Sequence, residues 1–126
     1  MNIIISGAFG HIGSFLLRDF VKDKKIKKIL IIDNFNTQRF SSYLKINKKK
    51  IKLIDQDLKK FDLNKLKNHY EVFIHFAATT NAAESFKIKN EIMENNLKVT
   101  KKVVKFCLKK NININLIFPS STSVYG

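Results

Sequence analysis

Three of the four glycines in this chain fall within seven positions, at Gly7, Gly10 and Gly13, with the spacing G-x-x-G-x-x-G. An apolar run at 2–5 precedes them, and a segment with apolar residues at helical spacing follows at 12–21. This order predicts a buried strand, a tight turn and an amphipathic helix. In such a unit the first glycine permits the turn, the second lets a ligand approach the backbone, and the third allows close packing.

The start of the predicted helix offers a binding site for an anion. Backbone N–H groups at a helix N-terminus, together with the positive end of the helix dipole, suit a pyrophosphate. The alternative interpretation is a strand-to-helix connection that is merely tight. The position of the glycines, after an apolar strand and before a helix, favours phosphate binding.

Length and composition predict one globular domain. The chain has 126 residues, of which 44% are hydrophobic, enough for a single core. It contains no run of about eighteen apolar residues, and Met1 leads directly into strand-like sequence, so we expect neither a membrane span nor a signal peptide and infer a cytoplasmic location. Cys107 is the only cysteine, which excludes an internal disulfide and a cysteine-cluster metal site. We expect no metal.

The net charge of +14 raises the question of an anionic partner. Nearly all of the 24 basic residues are lysines, since Arg18 and Arg39 are the only arginines. Arginine is the residue favoured for forked contacts to phosphates and bases, so its scarcity argues against specific nucleic-acid recognition. The abundance of Lys, Asn and Ile indicates a compositional bias, and a basic nucleic-acid binder stays as a weaker alternative.

A second apolar run, Ile29 to Ile32, ends at Asp33, twenty residues past Gly13. Continuous rather than alternating apolarity is typical of a parallel strand that is covered on both faces. In a dinucleotide-binding fold, an acidic side chain at this place accepts hydrogen bonds from the adenosine ribose and repels a 2′-phosphate. The alternative is that Asp33 and Asn34 only begin a turn. Together with the glycines, Asp33 favours NAD over NADP.

The rest of the chain continues the alternation of strands and helices, which predicts an α/β domain with a Rossmann-like doubly wound parallel sheet in the order 3-2-1-4-5. The predicted elements are a short helix at 38–44, a strand at 51–54, a helical segment at 62–68 capped by Asp62, a strand at 72–76, a long helix at 88–110 and a strand at 114–118.

Two polar residues interrupt apolar patterns in this region. His75 lies within the fourth strand, and we interpret it as a packed core residue. Asn96 falls on the apolar stripe of the long helix with Ile92, Val99 and Val103. Because an unpartnered buried amide costs about 1 to 3 kcal/mol, Asn96 should form a specific hydrogen bond, either within the structure or near a ligand.

Several ordered motifs resemble those of the NAD-dependent sugar-nucleotide epimerase/dehydratase family of extended short-chain dehydrogenase/reductases, and its 4-epimerases above all. The motifs are GAFGHIG, IIDNFNT, DQDL, HFAATTNAAES, NNLKVT and SSTSVYG, and they cover the whole chain. Two departures bear on the activity. Thr80 stands where the 4-epimerases have a lysine, which argues against that one activity. Thr122 and Ser123 stand where the 4,6-dehydratases have an acidic pair, which argues against dehydration.

The resemblance implies a set of site residues. It places the pyrophosphate at His11 and Ile12 beside the three glycines, and Asn96 near the cofactor. Ser121 would be the catalytic serine that hydrogen-bonds the sugar hydroxyl being oxidised. The remaining implied cofactor contacts are Asp33, Asn34, Phe35, Asn36, Thr37 and Gln38 around the adenosine ribose, Asp57 and Leu58 at the adenine, and Phe76, Ala77, Ala78, Thr79 and Thr80 along the middle of the cofactor.

The family's Tyr-x-x-x-Lys pair and its substrate domain have no counterpart in the 126 residues. Tyr125 belongs to the preceding V-Y-G motif and is not that tyrosine. We therefore expect an NAD-binding Rossmann domain, residues 1–126, incomplete at its C-terminus and inactive alone. The complete protein would be a homodimeric enzyme that acts on a nucleotide-sugar. The alternatives are a non-catalytic nucleotide-binding or regulatory module, or another extended short-chain oxidoreductase such as a dehydratase or reductase.

Overall fold

A parallel β-sheet forms the centre of the fold. The computed structural model describes residues 1–36, 40–79, 86–109 and 114–120. Within these ranges the strands are β1 (Asn2–Ser6), β2 (Lys28–Asp33), β3 (Ile51–Asp55), β4 (Val72–His75) and β5 (Asn115–Ile117). They pair in the order β3-β2-β1-β4-β5, and every pairing is parallel. The predicted fold class and strand order are confirmed.

Helices cover both faces of the sheet. They are α1 (His11–Phe20), the short α2 (Phe40–Leu44) and the long α3 (Phe86–Lys109). The helical segment predicted at 62–68 is only a 3₁₀ turn, Leu63–Lys65, although Asp62 does cap it by accepting a hydrogen bond from the N–H of Asn64. The long helix begins at Phe86, two residues before the predicted start.

The alternation of side chains along β1 builds two separate cores. Ile4 points to one face, where it joins Leu30 and Phe73 from its neighbouring strands and Val103 from α3. Ile3 and Ile5 point to the other face, toward α1. Each such buried side chain contributes about 1.5 to 3 kcal/mol. Because β1 and β2 face a core on both sides, their sequences are continuously apolar.

The parallel arrangement brings the carboxyl ends of the strands to one edge of the sheet. The glycine turn follows β1, and Asp33 ends β2 at the same edge. Gly7 donates its N–H to the carbonyl oxygen of Ile32, and Phe76 donates its N–H to the carbonyl oxygen of Ser6. The segments that leave β1, β2 and β4 are therefore held side by side.

Candidate functional site

A cleft of about 250 Å³ lies at the carboxyl ends of the strands. The segments after β1, β2, β3 and β4 contribute its walls, and α3 closes one side. Its lining residues are Gly7, Gly10, Ile32, Asp33, Asn34, Asn36, Gln56, Asp57, Leu58, Lys59, Phe76, Ala77, Ala78, Thr79, Asn96 and Val99.

Two glycines allow the turn after β1 to pack closely. Gly7 has a φ of +68°, and a Cβ there would lie 2.6 Å from the backbone nitrogen of Ala77. A Cβ at Gly13 would lie 2.7 Å from the carbonyl oxygen of Gly7. A side chain at either position would therefore force the backbone apart. The third glycine was predicted to let the helix pack against the strand. In the structure, Gly13 packs against the backbone of the turn, at Gly7 and Ala8.

Gly10 is in a different situation. It caps α1 with a φ of −64°, so its backbone conformation suits any residue. Apart from its chain neighbours, the described residues place one atom within 4 Å of a Cβ at Gly10, the carbonyl oxygen of Gly7 at 3.2 Å. The backbone at Gly10 borders the cleft. Because glycine has no side chain, the part of the cleft next to this backbone stays open.

The N-terminus of α1 provides a favourable electrostatic environment for an anion. The helix begins at His11, and its first turn contains no acidic residue. The N-cap residue, Gly10, has no side chain to cap this end. The positive end of the helix dipole therefore lies beside the cleft with no carboxylate from its own first turn, an arrangement that suits a phosphate group.

Asp33 is only 8% exposed, and both oxygens of its carboxylate bind backbone. Oδ2 accepts the N–H of Phe9, and Oδ1 accepts the N–H of Phe35, each at 2.9 Å. A carboxylate oxygen has a second lone pair, so each can accept one more hydrogen bond from the cleft. Asp33 thus fixes the glycine turn while it lines the cleft.

The wall contributed by residues 57–59 is a compact turn. Oδ1 of Asp57 accepts the N–H of Lys59 at 2.8 Å. The carbonyl oxygen of Asp57 accepts the N–H groups of Lys60 and Phe61, both at 2.9 Å. Leu58 is buried in the core below the turn. This leaves the Asp57 and Lys59 side chains at the cleft.

Asn96 connects α3 to the opposite wall. Its Oδ1 accepts the N–H of Thr79 at 2.9 Å, and its Nδ2 donates to the carbonyl oxygen of Thr79 at 3.0 Å. The amide pairs with the backbone of one residue through both its groups. Of the two expectations for Asn96, the internal bond is present, and it lies at the edge of the cleft.

His75 is buried behind the cleft, as predicted, with 1% exposure. Its Nδ1 lies 2.7 Å from the Oγ of Ser6, and its Nε2 lies 3.3 Å from the Oγ1 of Thr100. Burial lowers the pKa of His75 to about 4, so the ring is neutral near pH 7. His75 is a hydrogen-bonded core residue.

Comparison with known proteins now assigns the family. The sequence profile of the NAD dependent epimerase/dehydratase family matches residues 3–126. The chain belongs to this family.

Individual members of the epimerase/dehydratase family match over nearly the whole chain. The uncharacterized UDP-glucose epimerase YtcB of Bacillus subtilis is 30% identical over 132 residues, which cover all of this chain and 42% of that protein. The ADP-L-glycero-D-manno-heptose-6-epimerase of Brachyspira hyodysenteriae is 32% identical over 130 residues, 98% of this chain and 38% of that protein. The chain therefore spans about two fifths of the length of these relatives.

Solved structures of family members have the same fold. A UDP-glucuronic acid 4-epimerase from Bacillus cereus, in complex with NAD and a fluorinated UDP-glucuronic acid, superposes with a TM-score of 0.86 at 28% identity. The match covers all of this chain and 42% of that one. The resemblance predicted from the motifs is confirmed at the level of the family and the fold.

Most of the sequence-predicted family site residues come together in the cleft. Those that line it are Gly7, Gly10, Asp33, Asn34, Asn36, Asp57, Leu58, Phe76, Ala77, Ala78, Thr79 and Asn96. His11, Ile12 and Gly13 do not line it and instead form the first turn of α1 beside it. The predictions for Thr37, Gln38, Thr80 and Ser121 fall outside the described residues.

Phe35 is not among the residues that line the cleft. Its ring stacks on Phe9 with a centroid distance of 4.8 Å and packs with Tyr43. Its backbone N–H contributes to the site through Asp33. The sequence offered no signal that this aromatic residue completes the core beneath the turn.

Sequence reasoning missed four lining residues, Ile32, Gln56, Lys59 and Val99. Three of them adjoin predicted positions in the chain, and their signal was the end of a strand. Val99 lies three positions after Asn96 on α3, so helical spacing could have found it.

Among residues 1–36, 40–79, 86–109 and 114–120, no group of three or more His, Cys, Asp and Glu side chains could hold a metal ion. The helices of the part that the structure describes include none long and apolar enough to cross a membrane.

Proposed function

We propose that the cleft binds NAD and that residues 1–126 are the NAD-binding domain of the protein. The observation that carries this proposal is that Gly10, at the start of α1, and Asp33, at the end of β2, line the same cleft. The first suits a pyrophosphate, and the second suits ribose hydroxyls. The adenine would lie beside Asp57 and Leu58.

The residues present fit this cofactor. A side chain at Gly10 would extend into the space that a pyrophosphate needs, and glycine leaves that space open. Asp33 retains acceptor capacity beyond its two backbone bonds. A 2′-phosphate close to this carboxylate would be repelled, which supports NAD rather than NADP.

For the complete protein we propose a sugar-nucleotide epimerase of the 4-epimerase type. The family supports this proposal, and so do the 4-epimerases among its structural relatives. NAD would supply hydride transfer at a sugar carbon, through a keto intermediate. Ser121 would bind the sugar hydroxyl being oxidised. The substrate would be a nucleotide-sugar.

The proposal extends to assembly and location. We propose a homodimer, which is supported by the large apolar side chains exposed along α3, Met93, Leu97, Val104 and Leu108. Such a stripe on one helix is typical of a helix-to-helix interface. We also propose a cytoplasmic location.

The decisive experiment is a calorimetric titration of the 126-residue chain with NAD and with NADP. We expect saturable binding of NAD and at least tenfold weaker binding of NADP. Because epimerisation returns the hydride to the sugar and leaves no net NADH, a second measurement follows formation of the 4-epimer by chromatography when UDP-glucose, UDP-glucuronic acid or UDP-N-acetylglucosamine is added to the longest natural form of the protein. Absence of NAD binding contradicts the cofactor proposal. NAD binding without any reaction of a nucleotide-sugar favours the non-catalytic module.

A further inference from the structure

Lys102 of α3 binds the backbone of the cleft wall formed by residues 57–59. Its Nζ donates hydrogen bonds to two consecutive carbonyl oxygens, those of Leu58 at 2.9 Å and Lys59 at 2.8 Å. Both belong to the turn that lines the cleft. Lys102 is half-buried, whereas the neighbouring Lys101 and Lys105 on the same helix are exposed.

The other hydrogen bonds of this turn are local. The N–H groups of Lys59, Lys60 and Phe61 all bind to Asp57. Such bonds set the shape of the turn but not its position relative to the rest of the fold. Three contacts set its position: the N–H of Gln56, just before the turn, donates to the carbonyl oxygen of Asp33 at 3.1 Å, Leu58 is buried with the apolar residues of α3, and Lys102 binds the two carbonyl oxygens. Apolar burial has no preferred direction, whereas charge-assisted hydrogen bonds do.

We propose that Lys102 is a positioning residue for the adenine side of the dinucleotide cleft. This inference rests on the proposed function. By holding the carbonyl oxygens of Leu58 and Lys59, the ammonium group fixes the orientation of the two consecutive peptide groups that follow these residues, and so the direction in which Asp57 and Lys59 face the cleft.

The same helix then supports two walls of the cleft. Asn96 holds Thr79 on one side, and Lys102 holds Leu58 and Lys59 on the other. Six positions separate the two residues, a rise of about 9 Å along the helix. The distance between the walls is therefore set by α3, a rigid element, rather than by the turns themselves.

The first test uses the protein without ligand. We expect Lys102→Met, which keeps a long apolar stem and removes the ammonium, to accelerate amide hydrogen exchange at Lys60 and Phe61 about tenfold. Lys102→Arg should restore the exchange rates toward the parent values. Lys105→Met removes a charge from the same helix and should leave them unchanged. Parent-like exchange in Lys102→Met overturns the proposal.

The second test measures binding of AMP and NAD by calorimetry. Lys102→Met should weaken both ligands by about the same factor, roughly tenfold, and Lys102→Arg should recover most of the loss. Val103→Ala is the control for stability, because it opens a cavity beneath the same helix. It should lower the unfolding temperature and leave AMP affinity near the parent value.

The outcomes separate the two proposals. Unchanged AMP affinity in Lys102→Met, or an equal loss in Lys105→Met, overturns the role of Lys102 while NAD binding by the parent stands. If the parent binds neither AMP nor NAD, the proposed function fails. The exchange comparison then still decides whether Lys102 holds the turn.

Discussion

The carboxylate of Asp33 accepts a hydrogen bond from the N–H of Phe9 at 2.9 Å, which connects the end of β2 to the middle of the glycine turn. The two residues are 24 positions apart in the chain. Through this bond, the side chain predicted to select the cofactor also fixes the backbone predicted to bind its pyrophosphate. Substitution of Asp33 therefore affects both functions.

We predict that Asp33→Ala weakens NAD binding at least tenfold and removes the preference for NAD over NADP. It should also lower the free energy of unfolding by about 2 kcal/mol, because two backbone N–H groups lose a charged acceptor. Calorimetric titration and urea unfolding measure the two effects. Asp33→Asn is the matched control, since it keeps one acceptor oxygen but no charge. Equal affinities of the parent for NAD and NADP would remove the reason for assigning NAD.

Gly10 and Gly13 provide a matched pair of substitutions. We predict that Gly10→Val abolishes NAD binding and leaves the helix content near its parent value, because its side chain crowds the ligand. Gly13→Val should instead destabilise the fold, because its Cβ meets the carbonyl oxygens of Gly7 and Ala8 at 2.7 and 2.8 Å. Circular dichroism and NAD titration distinguish the two. Survival of NAD binding in Gly10→Val would show that the turn is only structural.

Substitution of Asn96 tests how α3 supports the cleft wall at Thr79. Asn96→Asp keeps an acceptor for the N–H of Thr79 but places a negative charge against its carbonyl oxygen. We predict a fivefold to tenfold loss of NAD affinity, roughly the cost of one hydrogen bond and its unpaired partner. Exposed Asn64 offers a control, because Asn64→Asp lies outside the cleft. An unchanged NAD affinity in Asn96→Asp would limit Asn96 to a structural role.

The sequence was sufficient for the parts of the site that lie on a regular pattern. Gly7, Gly10 and Gly13 share a fixed spacing at a strand-to-helix junction, and Asp33 ends a continuous apolar run. The continuous apolarity of the two central strands predicted the doubly wound sheet, because only a strand buried on both faces needs it.

Contacts between distant elements could not be predicted. Lys102 is one lysine among many, and only the folded chain shows that its Nζ reaches Leu58 and Lys59. The helix predicted at 62–68 is another feature that the sequence did not determine, because only a 3₁₀ turn at Leu63–Lys65 forms there. Asp62 caps its first turn, but Leu66 adopts an extended backbone with a ψ of 108°, so the chain delivers Leu63 and Leu66 to the core without continuing the helix.

His75 leads to a prediction of pH dependence. Its pKa in the folded protein is about 4 because burial penalises the charged ring, whereas the ordinary value is 6.5. As the pH falls below 6.5, His75 becomes protonated in the unfolded chain but stays neutral in the folded protein until the pH approaches 4. The stability associated with the neutral ring is therefore fully present above pH 6.5 and is lost as the pH falls to about 4. Each pKa unit corresponds to about 1.4 kcal/mol, so the loss is about 3 kcal/mol.

Urea unfolding of the parent and of His75→Gln at pH 7, 6, 5 and 4 measures this effect. Glutamine stays neutral throughout, and the carboxyl groups titrate alike in both proteins, so the difference between the two unfolding free energies isolates His75. We expect the parent to lose its advantage over His75→Gln progressively between pH 6.5 and pH 4. A difference that stays constant over this range would mean that His75 takes up its proton equally well in the folded protein. The hydrogen bonds with Ser6 and Thr100 would then not require a neutral ring.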